Sequence, residues 1–279
     1  MKVGYAVLYE DGELVISKNH TLLQKKIIKD YGEFEDTDVP WKNETNKIKK
    51  VQILNQVKSN YMKEWFKGCI NLTTLIDFKN LDTSDCTDFL SMFFYCESLQ
   101  NLNGLQNWNI SNGKDFSYMF AFCTYLQNLN ELQNWNVSNG TNFSCMFRNC
   151  DSLQDLNALS NWNVSNGVNF SYMFSTCKSL QDLNGLSNWN VSNGKDFSGM
   201  FAFCESLQNI NILKNWNIFN GTDFSYIFAL CESLHTVLVS KTLSILRKDM
   251  FYKCNPTLKI HWKNHIYTYA DLLEYQTIY

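Results

Sequence analysis

The most reactive side chains of the sequence are its ten cysteines, and eight of them keep one rhythm: Cys69, Cys96, Cys123, Cys150, Cys177, Cys204, Cys231 and Cys254. Thiols can ligate zinc, pair as disulfides or act as nucleophiles, and each task demands its own spacing. Zinc requires ligands converging from short motifs such as C-x2-C, and the sequence has none. Copies stacked ~5 Å apart with parallel side chains approach poorly for a disulfide, which needs a crossed geometry. The pattern predicts buried free thiols that pack as small hydrophobes. Cys86 and Cys145 lie off the rhythm and are the two candidates for a single reactive or regulatory thiol.

Other chemistry is thin. His261 and His265 are four apart, but no Glu stands between them, and on a strand they would lie ~13 Å from each other. They are expected on the surface of a cap. Asn109, Ser111, Asn112 and Asp115 resemble a calcium loop in type, yet Gly113 is misplaced for an EF-hand and the glycine-rich nonapeptide of calcium-binding β-rolls is missing. Turn chemistry accounts for them. Asn109-Ile110-Ser111 and its copies are formal glycosylation sites made of the same turn formers. No nucleophile has a base beside it, so no catalytic residue, metal or cofactor is assigned.

Bulk properties exclude further classes. Net charge is −3 over 279 residues, and the basic cluster Lys47, Lys49 and Lys50 shares its segment with many acids, so it reads as a solvated surface and not a nucleic-acid site. No apolar run approaches the ~18 residues of a membrane span. The opening MKVGYAVLYEDGEL has acids where a signal peptide would be apolar, so the sequence as it stands is expected in the cytoplasm.

The elements that must position these residues come from a 27-residue period. Trp108, Trp135, Trp162, Trp189 and Trp216 keep it, as do Phe120, Phe147, Phe174, Phe201 and Phe228 beside Cys123, Cys150, Cys177 and Cys204. These are the expected core. A fixed period of this length marks a repeat solenoid, whose units bury their apolar face only by stacking. Within one unit, Leu99, Leu102 and Leu105 are expected on a short parallel strand. Trp108 and Ile110 face inward, and Ser111-Asn112-Gly113 turns, with Asn-Gly supplying positive φ. Phe116, Met119, Phe120 and Cys123, at i, i+3, i+4 and i+7, form one face of a short helical turn. The expected architecture is thus a leucine-rich-repeat-like superhelix of short parallel strands and short helical turns, with β-rich N- and C-terminal caps.

Three segments follow: an N-terminal cap over 1–60, a repeat body of about eight coils over 61–258, and a C-terminal cap over 259–279. In the first cap, Val3 to Leu8 and Glu13 to Ser17 form a hairpin about Asp11-Gly12. Thr21 to Asp30 reads as a short helix with Leu22, Leu23, Ile27 and Ile28 on one side, or as a Lys-rich strand. Val51 to Val57 is another strand. In the last cap, His235 to Ser240 is strand-like, Ile260 to Trp262 and His265 to Tyr269 form a hairpin about Lys263-Asn264, and Leu272, Leu273 and Tyr275 of a final helical turn cover the last coil.

The run Leu81-Asp82-Thr83-Ser84-Asp85-Cys86-Thr87-Asp88-Phe89-Leu90-Ser91-Met92-Phe93, followed by Cys96-Glu97-Ser98-Leu99, resembles the BspA-type leucine-rich repeats of bacterial surface proteins (DUF285-type repeats). Their phrase reads L-D-T-S-N-V-T-D-M-S-x-M-F-x-x-C-x-S-L. The likeness spans about residues 60–258, and the two ends also resemble companions of such repeats. It implies adhesion or partner binding at a cell surface, with no cofactor and no reaction. The later copies depart from it, reading W-N-V-S-N-G where the family has L-D-T-S-N-V, and no export signal or wall anchor accompanies them.

Binding is therefore expected on the coil faces, where successive copies differ. One candidate row is polar: Asn101, Asn103, Asn128, Asn130, Asp155, Asn157, Asp182 and Asn184, whose side chains either meet solvent or stack as amide ladders. The other is aromatic: Tyr118, Phe122, Tyr172 and Phe203, residue types that anchor interfaces. The expected role is a monomeric, non-enzymatic, adhesin-like module with a protein partner, neither nucleic acid nor membrane being engaged. The alternative is an intracellular effector or inhibitor, carried by a mobile element, built on the same scaffold.

Overall fold

The computed structural model describes residues 1–240, 242–244, 246–275 and 277–278. The N-terminal hairpin forms as expected from Asp11-Gly12: β1 (Lys2–Tyr9) pairs antiparallel with β2 (Glu13–Ser17), with Tyr5 opposite Ser17 and Leu8 opposite Leu14. The other edge of β1 takes β3 (Ile27–Glu35), also antiparallel. This replaces the helix expected over Thr21 to Asp30. A helix that short is marginal without a face to bury, and Ile27 and Ile28 remain 38% and 39% exposed, whereas the open strand edge satisfies backbone groups directly.

Within this sheet, pairing beyond β2 is parallel. β4 (Lys50–Leu54) runs beside β2, and β6 (Thr74–Ile76) runs beside β4, giving the order β3-β1-β2-β4-β6. The cap and the first coil therefore share one sheet across the 60/61 boundary, so no open coil end is left there. β5 (Val57–Lys58) pairs in parallel with β7 (Leu81–Asp82).

The body is a repeat fold of stacked coils, and its backbone departs from the expected strand and helix in an orderly way. Along Phe116 to Cys123, alternate N–H groups leave the coil: Phe116, Tyr118, Phe120 and Phe122 donate to the carbonyls of Asn142, Ser144, Met146 and Arg148 in the next coil, at 2.9, 2.9, 2.9 and 2.7 Å. Those of Met119, Ala121 and Cys123 turn back three residues. Tyr118 and Phe122 have φ of 57° and 62°, and the equivalent pair recurs from Glu64 and Gly68 through Tyr226 and Leu230, with Lys253 alone in the shortened last coil. A left-handed residue at every fourth position cannot continue a helix. The segment is a chain of tight turns, and Phe116, Met119, Phe120 and Cys123 are nonetheless fully buried.

The leucine phrase is corrected too. In the inner coils it carries a 3-10 turn, as at Asn130–Leu132 and Asn157–Leu159, and not a strand. Asn101, Asn128, Asp155 and Asp182 explain why. Their side-chain oxygens accept the N–H two residues on, at 3.3, 3.2, 2.9 and 2.8 Å, and such local bonds compete with ladder pairing. Thr74 in the first coil, Thr236 in the seventh and Lys259 in the eighth hold the same place, and strands form there, in β6, in β8 (Thr236–Leu238) and in a third that begins at Lys259. Parallel contact between inner coils falls instead on single bridges running Asp88, Asp115, Asn142, Asn169, Asp196, Asp223, with one more joining Asp182 to Asn209.

Inside, equivalent rings lie over one another. Successive tryptophans from Trp108 to Trp216 are 6.2–6.5 Å apart and within 7° of parallel, and Phe120, Phe147, Phe174, Phe201 and Phe228 stack at 5.6–5.8 Å. Each indole N–H is spent on a carbonyl thirty residues earlier, for example Trp162 on Leu132 at 2.9 Å. Gly113 and its copies do not have positive φ as expected. They are needed because a Cβ there would collide with the Phe116 ring.

At the C-terminal end β9 (Leu246–Arg247) pairs with β12 (Thr277–Ile278). Between them, β10 (Lys259–Trp262) lies parallel to β8 and antiparallel to β11 (His265–Thr268), the turn being made by Lys263 and Asn264 at φ of 47° and 67°. In the closing helix α1 (Tyr269–Tyr275), Leu272 is buried as expected but Leu273 is exposed, because only one side of so short a helix meets the coil. The covering role expected of the Tyr275 side chain lies outside the described residues.

Candidate interaction surface

The cysteines are the most reactive side chains of the chain. All ten are free and buried, and the stacked ones from Cys96 onward donate S–H to a phenylalanine carbonyl, as Cys123 does to Phe93 at 3.4 Å and Cys204 to Phe174 at 3.2 Å. Burial raises every thiol pKa above the ordinary value, to about 12 at Cys86, Cys204 and Cys254. A thiolate, the nucleophilic form, is thereby disfavoured. Cys145, off the ladder, is buried as well and shifts the same way for the same reason.

The histidines are dispersed. His261 and His265 sit on facing strands but not opposite each other, since His261 pairs with Ile266 and Trp262 with His265. His20 meets Asp30 at 2.7 Å. Among the described residues, no three of His, Cys, Asp and Glu gather as a metal site, and no helix is long and apolar enough to cross a membrane. Asn109 and Ser111 bond to each other at 2.7 Å, and the Asn112 amide donates to the Ser84 carbonyl at 2.7 Å. The latter contact recurs from Asn139 to Ser111, Asn166 to Ser138, Asn193 to Ser165 and Asn220 to Ser192. One turn later than the leucine phrase, side-chain amides thus strap coil to coil through serine carbonyls.

The polar candidate row splits in two. Asn101, Asn128, Asp155 and Asp182 are occupied in their own turns, whereas Asn103, Asn130, Asn157 and Asn184 turn exposed side chains outward. A row with half its members engaged in holding the backbone presents little variable chemistry.

The aromatic row falls on the left-handed positions of the turn chain. Tyr118, Phe122, Tyr172 and Phe203 have φ of 57°, 62°, 54° and 61°. Phe122 stacks on Tyr95 at 5.0 Å and meets Phe94 edge-on at 5.4 Å, while Tyr118 lies 6.0 Å from Phe94. The Arg148 guanidinium lies 5.5 Å over the Tyr172 ring, which in turn covers the backbone at Gly199. Phe203 is 44% exposed. Phe94, Tyr95, Tyr226 and Tyr252 belong to the same strip and were not singled out in the sequence. The 27-residue offset marks Tyr95 from Phe122 and Tyr226 from Tyr172, and Tyr226 meets Tyr252 at 6.0 Å. The strip runs along the stack, aromatic toward its start, with Arg148, Asn149 and Thr176 midway.

No curated protein matches the chain. Among solved structures, it is similar to a leucine-rich repeat protein from Eubacterium ventriosum, at 13% identity over 94% of this chain and 96% of that one, with a TM-score of 0.34. It is also similar to a leucine rich cell surface protein from Faecalibacterium prausnitzii, at 14% over 93% and 88%, TM-score 0.31. A third is a leucine-rich repeat protein from Bacteroides ovatus, at 13% over 94% and 77%, TM-score 0.32. The repeat fold itself rests on the 27-residue register of bonds and rings. The family described as Mycoplasma protein of unknown function, DUF285, matches residues 60–183 and 126–241, which is most of the repeat body, and the chain belongs to that family.

Proposed function

We propose that the protein is a monomeric, non-catalytic binding module that engages a protein partner through the strip of left-handed residues, in the manner of a surface adhesin. The observation that carries this reading is the choice of side chain at those positions. Positive φ costs a non-glycine residue ~1 kcal/mol, and glycine meets the requirement freely, as Gly68 and Gly199 do in two coils. Tyrosine and phenylalanine at the equivalent places of other coils gain nothing from the backbone geometry. They present aromatic area where partners are usually anchored. The surface location comes from the family resemblance. An intracellular binder would use the same strip, and the ten buried free thiols favour that second reading.

The test is site-specific photocrosslinking in cells of the source organism, with the crosslinker at Phe122, Thr176 or Phe203 and, for comparison, at Asn139 or Asn193. One protein recovered from the strip positions and absent from the asparagine positions is the expected result. Equal recovery from both sets, or none from the strip, contradicts the reading.

A further inference from the structure

A second site of different chemistry lies where the repeat ends. Trp216 is the last tryptophan of the ladder, and between its coil and the turn joining β10 to β11 is an open groove of about 800 Å³. Lys214, Lys263, His261 and His265 line it beside the amides of Asn215, Asn217 and Asn264, and no carboxylate does among the described lining residues. In a chain of net charge −3 this is a local concentration of positive charge. One cation is held in place: the Lys263 ammonium stands 4.2 Å from the Trp262 ring centroid. The Trp262 indole N–H is buried in that wall with no acceptor among the described residues.

One exposed apolar side chain lies in the lining, and another stands two residues past Asn217, outside it. Ile266, in the lining, is 61% exposed. Phe219 is 79% exposed and stands where the four preceding coils have Ser111, Ser138, Ser165 and Ser192. It follows Ile218, whose N–H is bound by Thr242 of the groove at 3.0 Å. We infer that this groove binds an acidic, extended protein segment carrying an apolar anchor, separately from the aromatic strip. Charge complementarity names the anion, and the Phe219 and Ile266 pair favours a peptide over an anionic polysaccharide, which would leave both without a partner.

The probe is a fluorescein-labelled 12-residue peptide with Asp and Glu flanking a central Phe-x-Leu, measured by anisotropy at low and at physiological salt against its Asn/Gln counterpart and against sulfated dextran. The acidic peptide should bind about tenfold tighter than the neutral one and weaken with salt. Lys214→Glu with Lys263→Glu should remove that preference, Phe219→Ser should weaken binding severalfold, and Lys114→Glu with Lys195→Glu, on the coil faces, should change nothing. Should the double variant melt early, Lys214→Gln alone must still lower affinity. Equal binding of the two peptides, or indifference to the groove lysines, overturns the inference. So does dextran binding that needs the lysines but not Phe219, which would make the ligand a polysaccharide.

Discussion

Each coil has two outward stretches, and they follow opposite rules. On the stretch from the leucine phrase through Trp and Asn-Gly, copies repeat almost letter for letter, and many of the polar residues are engaged: Asn128 closes its own turn, Asn139 straps one coil to the previous one, and Trp135 gives its N–H to Leu105. On the turn chain from Phe116 to Cys123, the core residues repeat but the left-handed ones change, from Tyr118 and Phe122 to Cys145, which is buried, and Asn149, then to Tyr172 and Thr176. Sameness marks bonds that hold the stack, and change marks surface left free for partners.

The interior shared by the copies should break most visibly. Folded thiols have raised pKa values while unfolded ones titrate near the ordinary value of 9.0. Below that pH the contribution is intact. As pH rises from 9 toward the folded values the unfolded chain loses protons first, and each buried thiol can cost up to ~1.4 kcal/mol per pH unit. Summed over the ladder, the urea midpoint should fall steeply between about pH 9 and pH 11, and a flat profile would show that the thiols are not held neutral. Trp162→Ala should cost ~3–5 kcal/mol in equilibrium unfolding, from lost ring contact with Trp135 and Trp189 and the lost bond to Leu132. Asn166→Ala removes one exposed strap to Ser138 and should cost only ~0.5–1.5 kcal/mol by the same assay. A zero cost there would erase the distinction between the two stretches.

What the sequence disclosed was burial, because period and apolarity encode it. Phe116, Met119, Phe120 and Cys123 are inside, but their spacing is shared by a helix and by turns with a left-handed residue every fourth place, so the backbone was not legible. The leucine strand failed for a local reason visible only at one position, where Thr74, Thr236 and Lys259 stand in strands and Asn or Asp does not. Gly113 was noticed, but steric approach to Phe116 was indistinguishable from a need for positive φ. Half of the polar candidate row proved to be engaged in turns, and half of the aromatic strip was missed although the 27-residue offset marks it. The terminal groove could not be read at all, since its walls come from segments that share no repeat.

The central claim is that the changing stretch binds and does not hold. Phe122→Asn combined with Phe203→Asn tests it most directly, since Asn149 already occupies that place in one of the two intervening coils and tolerates its φ of 60°. The account predicts an unfolding free energy within ~0.5 kcal/mol of the parent and an affinity for the protein crosslinked at this strip lowered by about tenfold or more. Unchanged affinity, or a large loss of stability, would contradict it.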